Sequence, residues 1–292
     1  MSRVPEATNE SSPMQTTFAG LTPSEEGRAM APPCDGEMEE NPWGYRKRLR
    51  FIAGAIAKTF PLWEPTSVRV LDLGCGNGSL VALPLARRGF DVTGLDFHLP
   101  SIEHARRLSD AMPNARFIAG TVDGLPSALF DVIILSEVLE HVFDPEALLL
   151  ASLKHLQPDG IVLITVPNGY GEFEIDSFIF RIFRLQSAID LLKRLFRIGA
   201  SSACSPRLQS AATDNDKCGH VQFFRRGRLR RLFEQCSLII VDESAGSLVC
   251  GPMVCHSLAR SRRFIEWNAR IADKLPMVFA SSWYFVLRRA TS

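Results

Sequence analysis

The sequence predicts an α/β fold, with a doubly wound and mostly parallel seven-stranded sheet and an inserted amphipathic helical segment. Two observations predict this fold. Apolar runs of strand length alternate with helix-length segments from Val68 onward. Three glycines alternate directly after the first apolar run, at positions 74, 76 and 78. Alternation of strand and helix implies parallel strands joined by right-handed crossovers, with helices on both faces.

The elements follow in order along the chain. A basic helix, Arg46 to Thr59, precedes the first strand and is expected to cover the ligand-binding edge of the sheet. We predict strands over 68–73, 91–96, 115–119, 130–136 and 160–166, with crossover helices over 79–88, 100–111 and 144–156. Gly89 provides a C-terminal cap for the helix over 79–88, and Pro84 should kink that helix. After a long insertion, a helix near 226–236 and strands near 238–244 and 283–288 complete the sheet.

Composition excludes several classes of protein. A hydrophobic fraction of 46% is ample for a core, and a formal net charge of +1 argues against a general nucleic-acid binder. The seven cysteines form no CxxC pair, which suits a reducing compartment. Cys218 with His220, and Cys250 with Cys255 and His256, match no standard zinc spacing. No signal peptide opens the chain and no apolar run reaches about 18 residues, so a cytoplasmic location is expected.

The segment from Val70 to Ser79, VLDLGCGNGS, indicates a ligand site. Asp72 lies near the carboxyl end of the first strand, and the second strand ends in Asp96. An acid in the second position can accept hydrogen bonds from both hydroxyls of a ribose. The GxGxG spacing is not the dinucleotide pattern GxGxxG, and no GxxxxGK[ST] loop follows. A nicotinamide-dependent oxidoreductase would need the GxGxxG loop, which this segment does not have.

This pairing of a GxGxG loop with an acidic strand end resembles the class I S-adenosylmethionine-dependent methyltransferases, which have a Rossmann-like fold. The resemblance covers about residues 40–170 and continues through FDVII at 130–134 and LQPDG at 156–160. It is a resemblance to the ubiquinone-biosynthesis O-methyltransferases and the methyltransferase type 11 and 12 group. It implies S-adenosyl-L-methionine as the cofactor, bound by the following residues: Arg48, Asp72, Gly74, Cys75, Gly76, Asp96, Phe97 and Ser136.

The individual roles also follow from the resemblance. Asp72 would lie near the methionine part and Asp96 on the ribose, while Phe97 would flank the adenine. The loop that brackets the adenine in the family corresponds here to 120–126. It carries Thr121 where an acid is usual, and Asp123 two residues later.

The motif SEVLEH, which follows the fourth strand at 136–141, provides candidate acceptor-side residues. On a helical turn, Glu137, Glu140 and His141 would share one face. Two close carboxylates beside an imidazole make a half-site for a divalent metal. The same ExxEH pattern occurs in ubiquinone-biosynthesis O-methyltransferases and in small-RNA 3′-end 2′-O-methyltransferases, which implies Mg²⁺ as a candidate ion. His220 resembles a later histidine of those families, so His141 and His220 are candidate catalytic bases and His220 is a further candidate ligand.

Another interpretation of this motif stays open at the level of sequence. Glu137 and His141 could bond only to loop backbone and to each other, without a metal. A basic run at 225–231 raises a similar choice: it could attract phosphates or anionic lipid, or form a solvated helix start.

The insertion over 172–200 has an apolar stripe at steps of three and four residues, and its basic residues outnumber its acids. Two interpretations fit this pattern. The helix could lie in a membrane interface through 173–199, which would place the protein peripherally on the inner membrane surface. Alternatively, it could be a lid that packs on the body and roofs the substrate pocket.

Four parts of the chain follow from these assignments. We predict a disordered leader over 1–40, a cofactor-binding core over 41–170, a helical insertion or lid over 171–225, and an acceptor-side completion of the sheet over 226–292.

The predicted activity is S-adenosylmethionine-dependent O-methylation of a small or lipid-like acceptor. One alternative is an RNA 2′-O-methyltransferase, although the near-neutral charge makes a nucleic-acid partner unfavourable. Another is a non-catalytic, membrane-associated methyltransferase-like protein.

Overall fold

The computed structural model describes residues 40–41, 43–169, 220–250 and 261–290. Most of the predicted leader lies outside the described residues, as does the amphipathic stripe of the insertion. The domain boundaries that depend on these segments therefore stay predictions.

A seven-stranded sheet forms the centre of the molecule, in the order β3-β2-β1-β4-β5-β7-β6. Neighbouring strands from β3 to β5 run parallel, whereas β7 is antiparallel to both β5 and β6. The strands are β1 (Arg69–Leu73), β2 (Asp91–Asp96), β3 (Ala115–Ala119), β4 (Phe130–Ser136), β5 (Leu156–Pro167), β6 (Leu238–Ala245) and β7 (Ser282–Arg289). The predicted doubly wound, mostly parallel seven-stranded sheet is confirmed.

Helices cover both faces of the sheet. They are α1 (Tyr45–Thr59), α2 (Ala82–Arg87), α3 (Leu99–Leu108), α4 (Pro145–Leu153), α5 (Arg226–Gln235) and α6 (Arg262–Ile271). Side chains alternate along β4, so Val132 and Ile134 pack in the core under α1, α2 and α3, while Ile133 and Leu135 pack under α4 and α5. The central strands β1 and β4 are therefore buried on both faces, whereas only Phe117 is fully buried in the edge strand β3. None of the helices in the described ranges is long and apolar enough to cross a bilayer.

The first crossover helix differs from its prediction. α2 begins at Ala82, and residues 79–81 form a turn in which the Leu83 amide donates to the Gly78 carbonyl at 2.9 Å. Pro84 therefore lies in the first turn of α2, where backbone N–H groups have no partner within the helix. A proline removes no helical hydrogen bond there, so the predicted kink is wrong.

The strand order places the candidate residues along one edge. The order reverses between β1 and β4, and a crevice for ligands opens outside the carboxyl ends of the strands at such a point. Asp72, Asp96 and Ser136 lie at or near the carboxyl ends of β1, β2 and β4. α1 packs its apolar side on a face of the sheet, and only its first turn, with Arg48, reaches this edge.

Candidate functional site

The glycine loop at 74–78 is held against the ends of β2 and β4. The amides of Gly74 and Cys75 both donate to the Leu95 carbonyl, at 2.8 and 3.2 Å. Gly74 has a φ of +70°, and a Cβ placed on it would lie 2.6 Å from Cγ2 of Val138. Only glycine combines this backbone conformation with such a close approach. The loop predicted to bind the cofactor therefore packs directly on the loop that carries the ExxEH motif.

Asp72 and Asp96 are two buried acids beneath this loop, with 2% and 5% of their surfaces exposed. One carboxylate oxygen of Asp96 accepts from the Gly76 amide and the other from the His98 amide, both at 2.8 Å. Burial and the nearby charge of Asp96 raise the pKa of Asp72 to about 8, against the lowering effect of a hydrogen bond from the Ala82 backbone. Two buried acids this close favour a ligand that brings positive charge. The sulfonium and ammonium groups of S-adenosylmethionine meet that requirement.

Cys75 and Phe97 each follow one of the two acids in the sequence. Burial, followed by the charges of Asp72 and Asp96, raises the pKa of the Cys75 thiol well above its usual range. The thiol therefore stays protonated, which suits a packing role and not a nucleophilic one. Phe97 is 73% exposed directly after β2, where an aromatic ring is available to stack on a planar group.

The loop expected to bracket the adenine lies beside Asp96. The Gly120 amide donates to the Asp96 carbonyl at 2.9 Å. Thr121 and Asp123 are both exposed, and Asp123 lies in a single 3-10 turn over Val122–Gly124. Either side chain is accessible to a ligand above Asp96, and the cofactor roles of these residues stay predictions.

A polar network joins α1 to the ends of β4 and β5. The Arg48 guanidinium lies 3.3 Å from Oε1 of Glu137, and Thr165 donates its hydroxyl to the same oxygen at 3.0 Å. Ser136 Oγ lies 3.2 Å from the Thr165 hydroxyl, and it is the donor there because the Thr165 proton is already given to Glu137. Burial alone would lower the pKa of Arg48, but the Glu137 carboxylate holds this pKa above its usual value. Sequence reasoning missed Thr165, because no motif marks it within a buried strand.

Glu137 does not share a helical face with the rest of its motif. Its φ is +57°, a left-handed conformation that is strained for a residue with a Cβ, and the following 3-10 turn spans only Leu139–His141. The ion pair to Arg48 and the bond from Thr165 hold Glu137 in this conformation. The expected arrangement of Glu137, Glu140 and His141 on one helical turn is therefore wrong.

Glu140, His141 and His220 form a cluster whose possible ligand atoms all lie within 4.8 Å of one another. Nε2 of His141 is 3.8 Å from Oε1 of Glu140, and the rings of His141 and His220 stand edge to face with centroids 5.1 Å apart. Glu140 is 1% exposed, and no other residue that the structure describes donates a hydrogen bond to its carboxylate oxygens. Burial, and then the charge of Glu137, raise the pKa of Glu140 well above its usual range.

The donor set of this cluster fits a divalent metal, since a buried carboxylate without hydrogen-bond donors needs a cation or a proton. One carboxylate and two imidazoles suit Mn²⁺, Fe²⁺ or Zn²⁺ better than Mg²⁺, which prefers oxygen ligands. Glu137 lies outside this group, and the magnesium assignment stays a prediction.

His220 reaches the cluster through a clamp of four hydrogen bonds between two distant segments. The amides of Val221 and Gln222 donate to the Glu140 carbonyl, at 2.9 and 3.1 Å. The side-chain amide of Gln222 donates to the carbonyls of Val142 and Phe143, at 2.7 and 2.8 Å. Sequence reasoning missed Gln222, although it stands two residues after the histidine that it positions.

Comparisons with known proteins agree with this architecture. A family model described as a methyltransferase domain matches residues 44–242, which is more than half of the 292-residue chain. The ubiquinone biosynthesis O-methyltransferase of Rickettsia akari is 36% identical over 123 residues, which cover 41% of this chain and 48% of that protein. The protein of the same name from Psychrobacter cryohalolentis is 33% identical over 132 residues, covering 43% and 49%. The chain thus spans about half the length of the curated relatives that it matches.

Solved structures show the same fold at low identity. PKMT2 from Rickettsia typhi, in complex with AdoHcy, has a TM-score of 0.53 at 19% identity, covering 85% of this chain and 54% of that one. The [4+2]-cyclase SpnF has a TM-score of 0.51 at 14% identity, covering 89% of each chain. These likenesses concern the fold alone. With the family match across residues 44–242, the chain belongs to the methyltransferase-domain family, the class I enzymes that use S-adenosyl-L-methionine.

Proposed function

We propose that this protein transfers a methyl group from S-adenosyl-L-methionine to a hydroxyl group of a small, lipid-like acceptor. The cluster of Glu140, His141 and His220 carries this proposal, because Glu140 and His141 lie on the loop that packs against the glycine loop through Val138 and Gly74. Groups able to accept a proton are thereby held close to the expected cofactor. The names of the relatives, ubiquinone biosynthesis O-methyltransferases, support an oxygen acceptor on a lipid-like molecule.

The cofactor end of the site needs complementary charge and close backbone approach. When bound, S-adenosylmethionine supplies a methyl group on a positively charged sulfur. A cationic ligand would favour the ionised form of Asp72, so that Asp72 and Asp96 together would supply negative charge in a buried site, where it is weakly screened. Each oxygen of Asp96 accepts one backbone amide and has a lone pair left for a ribose hydroxyl. The Gly74 and Gly76 backbone can approach the ligand without a Cβ.

The acceptor end must remove a proton from the hydroxyl and hold its oxygen in line with the methyl group. His141 and His220 are the groups whose neutral imidazoles can take this proton. An imidazolium on His141 would favour the ionised form of Glu140, whose carboxyl group lies 3.8 Å away, and the two charges would then stabilise each other. A divalent ion held by Glu140, His141 and His220 would supply Lewis acidity that favours the ionised hydroxyl.

One finer part of the sequence-based interpretation remains a proposal. It is peripheral membrane contact through 173–199, which falls on residues outside the described part of the chain. An RNA acceptor has no support from the relatives, and the formal net charge of +1 does not favour one.

Calorimetric titration with S-adenosylmethionine and S-adenosylhomocysteine, with and without Mg²⁺ or Mn²⁺, tests the proposal first. We expect micromolar binding of both ligands, followed by turnover with an alkyl-substituted catechol. A correctly folded sample that binds neither ligand would contradict the proposed activity. A metal effect on turnover but not on cofactor affinity would support an ion on the acceptor side.

A further inference from the structure

Lys47 joins the first turn of α1 to the C-terminal part of the chain. Its Nζ donates to the backbone carbonyls of Gly246 and Ala269, at 2.8 and 2.7 Å, and to Oδ1 of Asp273 at 2.6 Å. An ammonium group has three N–H donors, so each donor has one acceptor here. We propose that Lys47 is a positioning residue for the cofactor, because it fixes the turn of α1 that carries Arg48. This inference goes beyond the proposed function, since it concerns cofactor binding and not the acceptor.

Two of the three acceptors come from the end of α6, where a positive charge is favourable. The last four carbonyls of a helix have no partner within the helix, and they form the negative end of its dipole. Ala269 is one of the last four residues of α6, and Asp273 lies in the 3-10 turn Ala272–Lys274 that follows. Only 14% of the Lys47 side chain is exposed, so water screens these contacts weakly.

The acceptors belong to a part of the chain that is already held together. The side chain of Asn268 on α6 accepts from the backbone N–H of Val249 at 2.8 Å and donates to its carbonyl at 2.7 Å. Asn268 is 1% exposed, so both bonds are protected from water. The end of α6 is thereby fixed to the segment 246–250, which directly follows β6. Lys47 contacts both of these pieces at once, and it therefore ties α1 to a defined position.

Arg48, the next residue on α1, makes contact with the loop that follows β4. Successive side chains on a helix point about 100° apart, so neighbouring residues can reach different partners. The Arg48 guanidinium lies 3.3 Å from Oε1 of Glu137, and the side chain of the following residue, Val138, packs against Gly74 in the glycine loop. A displacement of the first turn of α1 would therefore disturb Glu137 and, through Val138, the loop that is expected to hold the cofactor.

Lys58 provides a matched comparison at the other end of α1. It donates to Oδ2 of Asp242 on β6 at 3.0 Å, so it also joins α1 to the C-terminal part of the chain. Its side chain is 78% exposed, and exposed ion pairs of this kind contribute little. Ten residues separate it from Arg48, which is about 15 Å along the helix. Lys58 should therefore have no influence on the cofactor.

The test is calorimetric titration of the full-length protein with S-adenosylhomocysteine. Lys47→Met removes the three donors but keeps a flexible apolar side chain, and we expect it to weaken binding about tenfold, which is the loss of about one charge-assisted hydrogen bond. Lys58→Met should change the affinity by less than about twofold. Unchanged affinity in Lys47→Met, or an equal loss in Lys58→Met, would overturn the proposal.

A double-variant cycle tests whether Lys47 acts through Arg48. If it does, Lys47→Met should change the affinity by less than about twofold once Arg48→Met is present, because the group that it positions is gone. Losses that add fully would overturn the positioning role.

Hydrogen exchange gives a readout that a purely structural role of Lys47 would not change. Coupling between two sites is reciprocal, so S-adenosylhomocysteine should slow amide exchange in α6 and in 246–250 of the wild type. Lys58→Met should keep this protection and Lys47→Met should lose it. If Lys47→Met does not fold, Asp273→Asn removes one acceptor and should reduce the protection. A wild type in which the ligand leaves exchange in α6 unchanged would overturn the coupling, whether or not the variants fold.

These outcomes are distinct from a failure of the proposed function. A wild type that binds S-adenosylhomocysteine, with no loss in Lys47→Met, refutes this inference alone. Cofactor binding that depends on Lys47, without turnover of an alkyl-substituted catechol, counts against the proposed activity and leaves this inference standing. A folded wild type that does not bind S-adenosylhomocysteine overturns both.

Discussion

Replacing Asp72 with asparagine should stabilise the ligand-free protein at alkaline pH. Asp72 is 2% exposed, and burial with the charge of Asp96 raises its pKa to about 8. An unfolded aspartate has a pKa of about 3.9. The folded state therefore holds an extra proton between about pH 4 and pH 8, and the free energy of unfolding falls as the pH rises through that range. Above about pH 8 the effect is complete.

The size of this effect follows from the difference between the two pKa values. About four pH units at about 1.4 kcal/mol each set an upper limit near 6 kcal/mol. The asparagine side chain of the variant cannot ionise, while its amide oxygen can still accept the hydrogen bond from the Ala82 backbone. We expect Asp72→Asn to raise the melting temperature by about 5–10 °C at pH 9 and by much less at pH 5.

Thermal unfolding followed by circular dichroism at pH 5, 7 and 9 measures this difference. The melting temperature of the variant is subtracted from that of the wild type at each pH. This difference removes the contribution of the other titrating groups, which the two proteins share. Asp159→Asn, which removes an exposed carboxyl group, is the matched control and should show almost no dependence on pH. A difference for Asp72→Asn that is the same at all three pH values, or a variant that is less stable at pH 9, would refute this reasoning.

The same carboxyl group links cofactor affinity to pH. If the cationic cofactor needs ionised Asp72, wild-type affinity should increase as the pH rises towards about 8. Asp72→Asn should bind more weakly at pH 8 and lose this dependence. The variant would then be more stable than the wild type but would bind the cofactor more weakly. This is the expected result when a binding residue is held in an environment that destabilises the folded protein.

Three further experiments, each with one or two alanine substitutions, address the remaining parts of the site. Asp96→Ala should weaken cofactor binding by about 1.5–3 kcal/mol through lost charge-assisted hydrogen bonds, and unchanged affinity by calorimetry would exclude the ribose role. Glu140→Ala combined with His141→Ala should leave cofactor binding intact and abolish turnover, so normal turnover would dispose of the acceptor-side role. Gly74→Ala should cost about 1–2 kcal/mol for the left-handed backbone and a further 1–3 kcal/mol or so for the clash with Val138, measured by urea unfolding. Adding Val138→Ala should remove only the second part, and no recovery in that double variant would argue against the clash.

Much of the fold was predictable because local patterns decide it. β4 was predicted at 130–136 and is found at Phe130–Ser136, since a continuous apolar run bounded by turn residues suits a strand buried on both faces. α2 was predicted too long, because the turn that closes the glycine loop uses residues 79–81 before the helix begins. α6 was not predicted, although Ser261 caps its first turn by accepting from the Phe264 amide.

The candidate site was predictable only in part. The sequence identified Glu140, His141 and His220 as related candidates, but it placed Glu137 on one helical turn with Glu140 and His141. The ion pair with Arg48 and the hydroxyl of Thr165 hold Glu137 in a left-handed conformation instead. Tertiary contacts of this kind override local helical spacing, because the partners come from other elements of the chain.

The sequence by itself determined the parallel sheet, the glycine loop and the two acids that lie at the ends of β1 and β2. These features depend on apolar periodicity and on the backbone freedom of glycine. Both are properties of residues that are close together in the sequence. Only the tertiary structure decided that Gln222 brings His220 to Glu140 and His141, and that Arg48 and Thr165 meet at the carboxylate of Glu137. Such relations depend on which distant segments meet when the core closes. No local pattern encodes these relations. The partner of a buried charge and the position of a catalytic side chain both depend on all the elements that pack around the site.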